Sequence, residues 1–106
     1  MNPFNQNLFE RKLVVSGQVV TINPYTEKRA KALIDIQNEI NKFADDNPDV
    51  RIDEIVDKRA EWWYRKAMIL WSFDKPVKKD FFESEDFESS LLLDTENFFL
   101  NYSNYL

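Results

Sequence analysis

The sequence predicts a mainly α-helical protein, a small helical domain of three or four helices with a β-hairpin at its N-terminal end. Two observations carry that expectation. Apolar residues recur at helical spacing through most of the chain after residue 24, and two β-branched runs flank the only glycine. A single glycine also leaves few left-handed turns, so helices joined by polar and proline-marked links are expected. A chain of 106 residues makes one domain, with a core large enough to need neither disulfide nor metal. The expected organisation is a mobile arm over 1–8, a hairpin over 9–23 and a helical body over 24–106.

Residues 1–8 are polar and asparagine-rich, which makes them the arm. In the run from Leu13 to Ile22, Gly17 sits where a tight turn needs positive φ. An isolated hairpin is marginal in water, so this one is expected to lie on the helices. Asn23-Pro24 reads as a helix start, asparagine capping free N–H groups and proline fitting the first helical position. The first helix then repeats apolar residues at Ala30, Leu33, Ile34 or Ile36, Ile40, Phe43 and Ala44, until Asp45-Asp46-Asn47-Pro48 stops it. The second is expected from Arg51–Asp53 to about Phe73, ended by Asp74-Lys75-Pro76. Lys78 to Glu83 suits one short turn. Ser84 is the expected cap of a last helix, with Phe87, Leu91, Asp94 or Thr95, Phe98, Tyr102 and Tyr105 along one stripe.

The second helix is the most informative. Between Glu61 and Trp71 it packs three tryptophans and a tyrosine. Its first half divides cleanly, with Ile52, Ile55, Val56, Trp62 and Trp63 on one side and Asp53, Glu54, Asp57, Lys58 and Glu61 on the other. Beyond Trp63 the apolar arc widens to include Tyr64, Ala67, Met68, Ile69, Leu70 and Trp71. A helix apolar nearly all round must be enclosed by other elements or by a partner. In so short a chain this points to a protein that works by binding.

Catalytic vocabulary is scarce. There is no histidine and no cysteine, which removes the commonest acid–base catalyst, the best neutral-pH nucleophile and every common zinc signature. One glycine builds neither a phosphate-cradling loop nor a dinucleotide turn. An enzyme, a cofactor and a metal site are therefore not expected. The run Asp45 to Asp53 spaces oxygen ligands like a calcium loop, but Val50 stands where the sharp turn needs glycine and Val56 where the bidentate glutamate belongs. That run reads instead as a helix end, a proline break and a new start. The net charge of −5 argues against generic nucleic-acid binding, and no apolar run is long enough to span a membrane. A soluble cytosolic domain is the expectation.

Candidate binding residues follow from the same pattern. Arg59 and Lys66 lie seven residues apart within the arc that otherwise holds Ile52, Ile55, Trp63 and Leu70. They either frame the tryptophans for an acidic partner or run their stems along the core edge. The pairs Phe81-Phe82 and Phe98-Phe99 place neighbouring rings on different helix faces, so one ring of each needs a second home, in the core or on a partner. Phe82 and Phe99 are the candidates for that role. The acids Asp80, Glu83, Glu85, Asp86 and Glu88 form either a solvated link or an imitation of nucleic-acid phosphates.

The order of these elements resembles the tail assembly chaperones of long-tailed bacteriophages. The resemblance lies in the hairpin Phe9 through Ile22, the run Arg29-Ala30-Lys31-Ala32-Leu33-Ile34-Asp35-Ile36, and the acid-started helix Ile52 through Trp71 with its Ala-Met-x-Leu-Trp end. It covers about two thirds of the chain and involves no invariant signature. It implies a non-catalytic protein of the host cell cytoplasm, absent from the mature virion, that coats and solubilises the tape measure protein and helps recruit the major tail tube protein. Helix-in-groove docking would then use Trp62, Trp63, Ile69 and Leu70 as anchors, with weak homo-oligomers adding avidity. The alternative expectation is an acidic inhibitor that mimics nucleic acid to block a host or defence protein.

Overall fold

The computed structural model describes residues 12–51, 54–84 and 87–102. The arm, Ile52 and Asp53 at the expected start of the second helix, the acids Glu85 and Asp86, and Tyr105 lie outside the described residues. Strands β1 (Lys12–Val15) and β2 (Gln18–Ile22) form the expected antiparallel hairpin. Helices α1 (Glu27–Asp46), α2 (Val56–Leu70) and α3 (Ser89–Asn101) make up most of the rest, with a short 3-10 turn at Lys79–Phe82. The hairpin turn has φ of 49° at Ser16 and 82° at Gly17, the pairing of positive values that a two-residue I′ turn requires. One face of the sheet packs inward through Val15, Val20 and Ile22, with Leu13 against the same cluster, and the other turns Val14 and Val19 outward.

A third strand corrects the reading of the second helix. That helix stops at Leu70, and β3 (Trp71–Phe73) pairs antiparallel with β2, giving the sheet order β1-β2-β3. Trp71 and Phe73 face inward while Ser72 faces out, an alternation too short to distinguish by pattern from a last helical turn. The stop is enforced from a distance. Asn23 donates its backbone N–H to the Leu70 carbonyl at 2.7 Å and its Nδ2 to the Ile69 carbonyl at 2.9 Å. Its Oδ1 accepts from Ser72 Oγ at 2.6 Å. The last carbonyls of a helix need such partners, and here the end of β2 supplies them. Asn23 is therefore a terminator of α2, not the start of α1. The cap of α1 is Thr26, whose Oγ1 accepts from the Arg29 N–H at 3.1 Å. At its other end Asn47 turns both its backbone N–H and its Nδ2 onto the Phe43 carbonyl, just before Pro48.

The last helix also departs from expectation. It starts at Ser89 after Glu88 rather than at a Ser84 cap. Of the expected stripe, Phe87, Thr95 and Phe98 are buried and Leu91 and Tyr102 pack at the core margin, but the buried face is rotated to take in Leu92, Glu96 and Phe99 as well. A charge explains part of the rotation. Lys66, only 3% exposed in the middle of α2, lies 2.9 Å from Glu96 Oε2 and donates to Glu96 Oε1 at 3.0 Å and to Gln37 Oε1 at 2.8 Å. A buried ammonium must find a carboxylate, and Glu96, 6% exposed, comes inward to meet it. One contact set thus ties α1, α2 and α3 together. Lys66 does not run its stem out to solvent.

Removing one partner of a buried ion pair typically costs about 3–5 kcal/mol, while replacing both by apolar residues is often neutral. Lys66→Met is therefore expected to lower urea-unfolding stability by about 3 kcal/mol, and Lys66→Met/Glu96→Leu to recover most of the loss. Asn23→Ala is expected to cost about 1–2 kcal/mol and to speed amide exchange in Ser72 and Phe73 before it does so in α1.

Candidate functional site

Five of the eight expected contact residues are interior. Trp62 is 2% exposed and meets Phe43 edge-on at 5.5 Å, with the Lys58 ammonium 5.1 Å and 5.4 Å above the two rings. Leu70, Phe82 and Phe99 are fully buried, and Lys66 is held by Glu96. Phe82 packs 4.9 Å from Phe87 and 5.8 Å from Tyr64, and Phe99 lies 5.1 Å from Tyr25. The chain after α2 folds back as the 3-10 turn and α3, so most of the wide apolar arc is covered by the protein's own residues. The second rings of both phenylalanine pairs find their home in the core.

Arg59, Trp63 and Ile69 stay half-exposed. The Arg59 guanidinium stands 4.7 Å over the Trp63 ring, whose centre is 5.3 Å from that of Phe87. Arg59 thus makes the cation–π contact that its spacing allowed, but within its own chain.

An open, largely apolar concavity lies elsewhere on α2. Along one flank, α1 and α2 leave a groove of about 400 Å³ lined by Ala32, Asp35 and Ile36 from α1 and Tyr64, Arg65, Met68 and Ile69 from α2. Ala32 and Ile36 are four residues apart, as are Tyr64 and Met68, so each helix presents one i, i+4 pair to the groove. Met68 is 39% exposed, while Ile36 forms part of the buried floor. Asp35 and Arg65 put one charge of each sign at the rim, and Arg65 pairs with Glu39 of α1 at 2.6 Å. An exposed pair of this kind is worth about 0–1 kcal/mol, so an incoming acid displaces it easily. The lining holds apolar area and two opposed charges and no pairing of nucleophile with base. That chemistry suits docking of an amphipathic segment.

Sequence reasoning placed Ile69 in the contact set and missed Ala32, Tyr64 and Met68. Helical spacing assigned them to one broad apolar arc, and it does not say which part of that arc the rest of the chain will cover. The available signal was an i, i+4 step on each of two consecutive helices, Ala32 to Ile36 and Tyr64 to Met68, at the edge of the core stripe. In the acidic segment, Glu83 lies 4.0 Å from Lys79, at the limit of an ion pair. No helix among the described residues is long and apolar enough to cross a membrane. With this geometry in view, comparison with known proteins finds no matching family model, curated protein or solved structure.

The placement of the three indoles has an optical consequence. Trp62 and Trp71 are each 2% exposed and Trp63 is half-exposed. Iodide is expected to quench one tryptophan population and spare the other two, and Trp63→Phe to remove the quenchable fraction. Quenching that persists in the variant would contradict this arrangement.

Proposed function

We propose that this chain is a non-catalytic escort protein that holds an amphipathic helix of another polypeptide in the α1–α2 groove. On this reading the client is the tape measure protein of a long-tailed phage, and the major tail tube protein is a later partner. The groove carries the proposal. Its floor of Ala32, Ile36, Tyr64, Met68 and Ile69 matches the apolar stripe of a helix, and Asp35 and Arg65 at the rim set the direction in which that helix lies. The identity of the client rests on the resemblance in element order described above. A long tape measure chain with exposed apolar stripes would aggregate alone, and many small shields make its capture reversible. A single groove of this size buries little area, so each contact is weak and repeated copies along the client supply the avidity.

Nucleic-acid mimicry draws less support. The acids after Asp80 follow Lys78 and Lys79, and Lys79 lies within ion-pair distance of Glu83. The two readings differ in salt response, because apolar anchoring is little screened whereas phosphate mimicry weakens steeply.

The test is co-expression with a tape measure protein, followed by pull-down. The wild-type chain is expected to keep the client soluble and to retain it at about 0.5 M salt. Met68→Lys is expected to lose capture at least about tenfold with an unchanged circular dichroism spectrum, since a charge in the groove centre must be desolvated. Glu83→Gln is expected to leave capture unchanged. A client equally insoluble with and without this chain would remove the proposal, and a larger loss from Glu83→Gln than from Met68→Lys would favour mimicry.

A further inference from the structure

Among the described residues, one edge of the sheet has no strand beside it. In the hairpin, Val15 and Gln18 flank a two-residue turn, so they form a hydrogen-bonded pair, and pairs alternate from there. Leu13 and Val20 are then hydrogen-bonded to each other, whereas Val14 opposite Val19 and Lys12 opposite Thr21 are not. An independent bond agrees with this register: the Val19 carbonyl accepts the Asp74 N–H at 3.0 Å, on the side of β2 that faces away from β1. By the same alternation, the N–H and C=O of Lys12 and of Val14 point away from β2, along the free side of β1. No strand among the described residues pairs with that side. The other edge is less open, because the Trp71 N–H is committed to the Ala67 carbonyl.

The side chains fit the same picture. Val14 is 64% exposed, more than any other large apolar residue described, and Val19 beside it is 37% exposed. Leu13, on the opposite face, packs partly buried at the margin of the core. An open edge flanked by apolar residues is a template for another strand.

We infer that β1 pairs antiparallel with β1 of a second copy of this chain, about a two-fold axis through Leu13, to form a continuous six-stranded sheet. The occupant follows from the backbone. With Leu13 opposite the partner's Leu13, Lys12 stands opposite the partner's Val14 and Val14 opposite the partner's Lys12. These are the residues whose groups point outward, so all four outward groups on each copy find partners. The two leucines meet at a non-hydrogen-bonded position and extend the inner apolar layer across the axis. A register centred on Val14 would instead oppose Lys12 to Ser16, which already lies in the turn at positive φ. The interface is self-complementary, as a two-fold contact must be. It is also small, so the association is weak, with a dissociation constant on the order of 100 µM. This inference uses the sheet edge and not the groove, and it stands whether or not the escort reading does.

Sedimentation equilibrium up to about 0.5 mM tests the association. Wild type is expected to dimerise. Val14→Pro removes one outward N–H and no bond to β2, which an edge strand tolerates, and is expected to shift the equilibrium at least about tenfold toward monomer. If Val14→Pro does not fold, Val14→Lys poses the same question with the backbone intact. The axis is tested separately. The sequence has no cysteine, so Leu13→Cys places the only thiol in each copy at a position where Cα atoms are about 4.5 Å apart. Mild oxidation is expected to yield covalent dimer at least about tenfold faster than with Val19→Cys, a position on β2 away from the axis. A wild-type chain that stays monomeric, a dimer indifferent to both Val14 variants, or equal cross-linking of the two cysteine variants would each overturn the inference.

Discussion

A lysine ammonium buried at the middle of α2 is the constraint around which the three helices are arranged. Lys66 cannot remain charged in the interior without a carboxylate, and Glu96 is the residue of α3 that meets it. Once Glu96 is turned inward, Leu92 and Phe99 on the same face of α3 are turned inward with it. Gln37 completes the arrangement from α1. A buried ion pair adds little net stability over well-packed apolar residues, but it penalises any rotation of α3 that leaves either charge alone. Its contribution here is to select one packing among several that would bury similar area.

The same enclosure decides what remains for a partner. An aromatic-rich helix in a short chain raises the question of what covers it, and the chain itself covers most of it. The Phe81, Phe82 and Phe87 rings form a tilted and edge-on cluster against Trp63 and Tyr64, and β3 carries Trp71 into the sheet core. The large indoles are therefore structural. The exposed large apolar residues are scattered rather than gathered: Met68 beside α1, Val14 and Val19 on the sheet, and Ile34, Val50, Val56 and Leu93 on or next to the helices. Shallow, marginal surfaces of this kind suit weak and repeated association better than one tight contact.

The groove and the sheet are linked through Asn23. By occupying the last carbonyls of α2, it fixes where the helix ends and hence where Met68 and Ile69 sit relative to Ala32 and Ile36. It also holds β3 against β2, which takes up one side of β2 and leaves β1 as the outer strand among the described residues. A single asparagine side chain thus helps to shape the groove and to set which edge is free.

Local rules were enough to read the hairpin, because Ser16-Gly17 between β-branched runs admits one tight turn. They were enough to show that three helices exist and that the first ends at the Asp-Asn-Pro break, because apolar spacing and that break are local signals, but not to set the other helix ends. The exclusion of histidine- and cysteine-based chemistry needed only composition. What the local pattern did not contain was any interaction between distant segments. The end of α2 at Leu70 depends on Asn23, 46 residues away from the Ile69 carbonyl it caps. The burial of Phe82, Phe99 and Trp62 depends on how the chain returns after Pro76, and the inward turn of Glu96 depends on a lysine 30 residues earlier. Periodicity specifies which residues share a face. Only the packed structure decides which faces are covered, because that depends on long-range contacts whose stabilisation must outweigh the entropy of closing the chain between them.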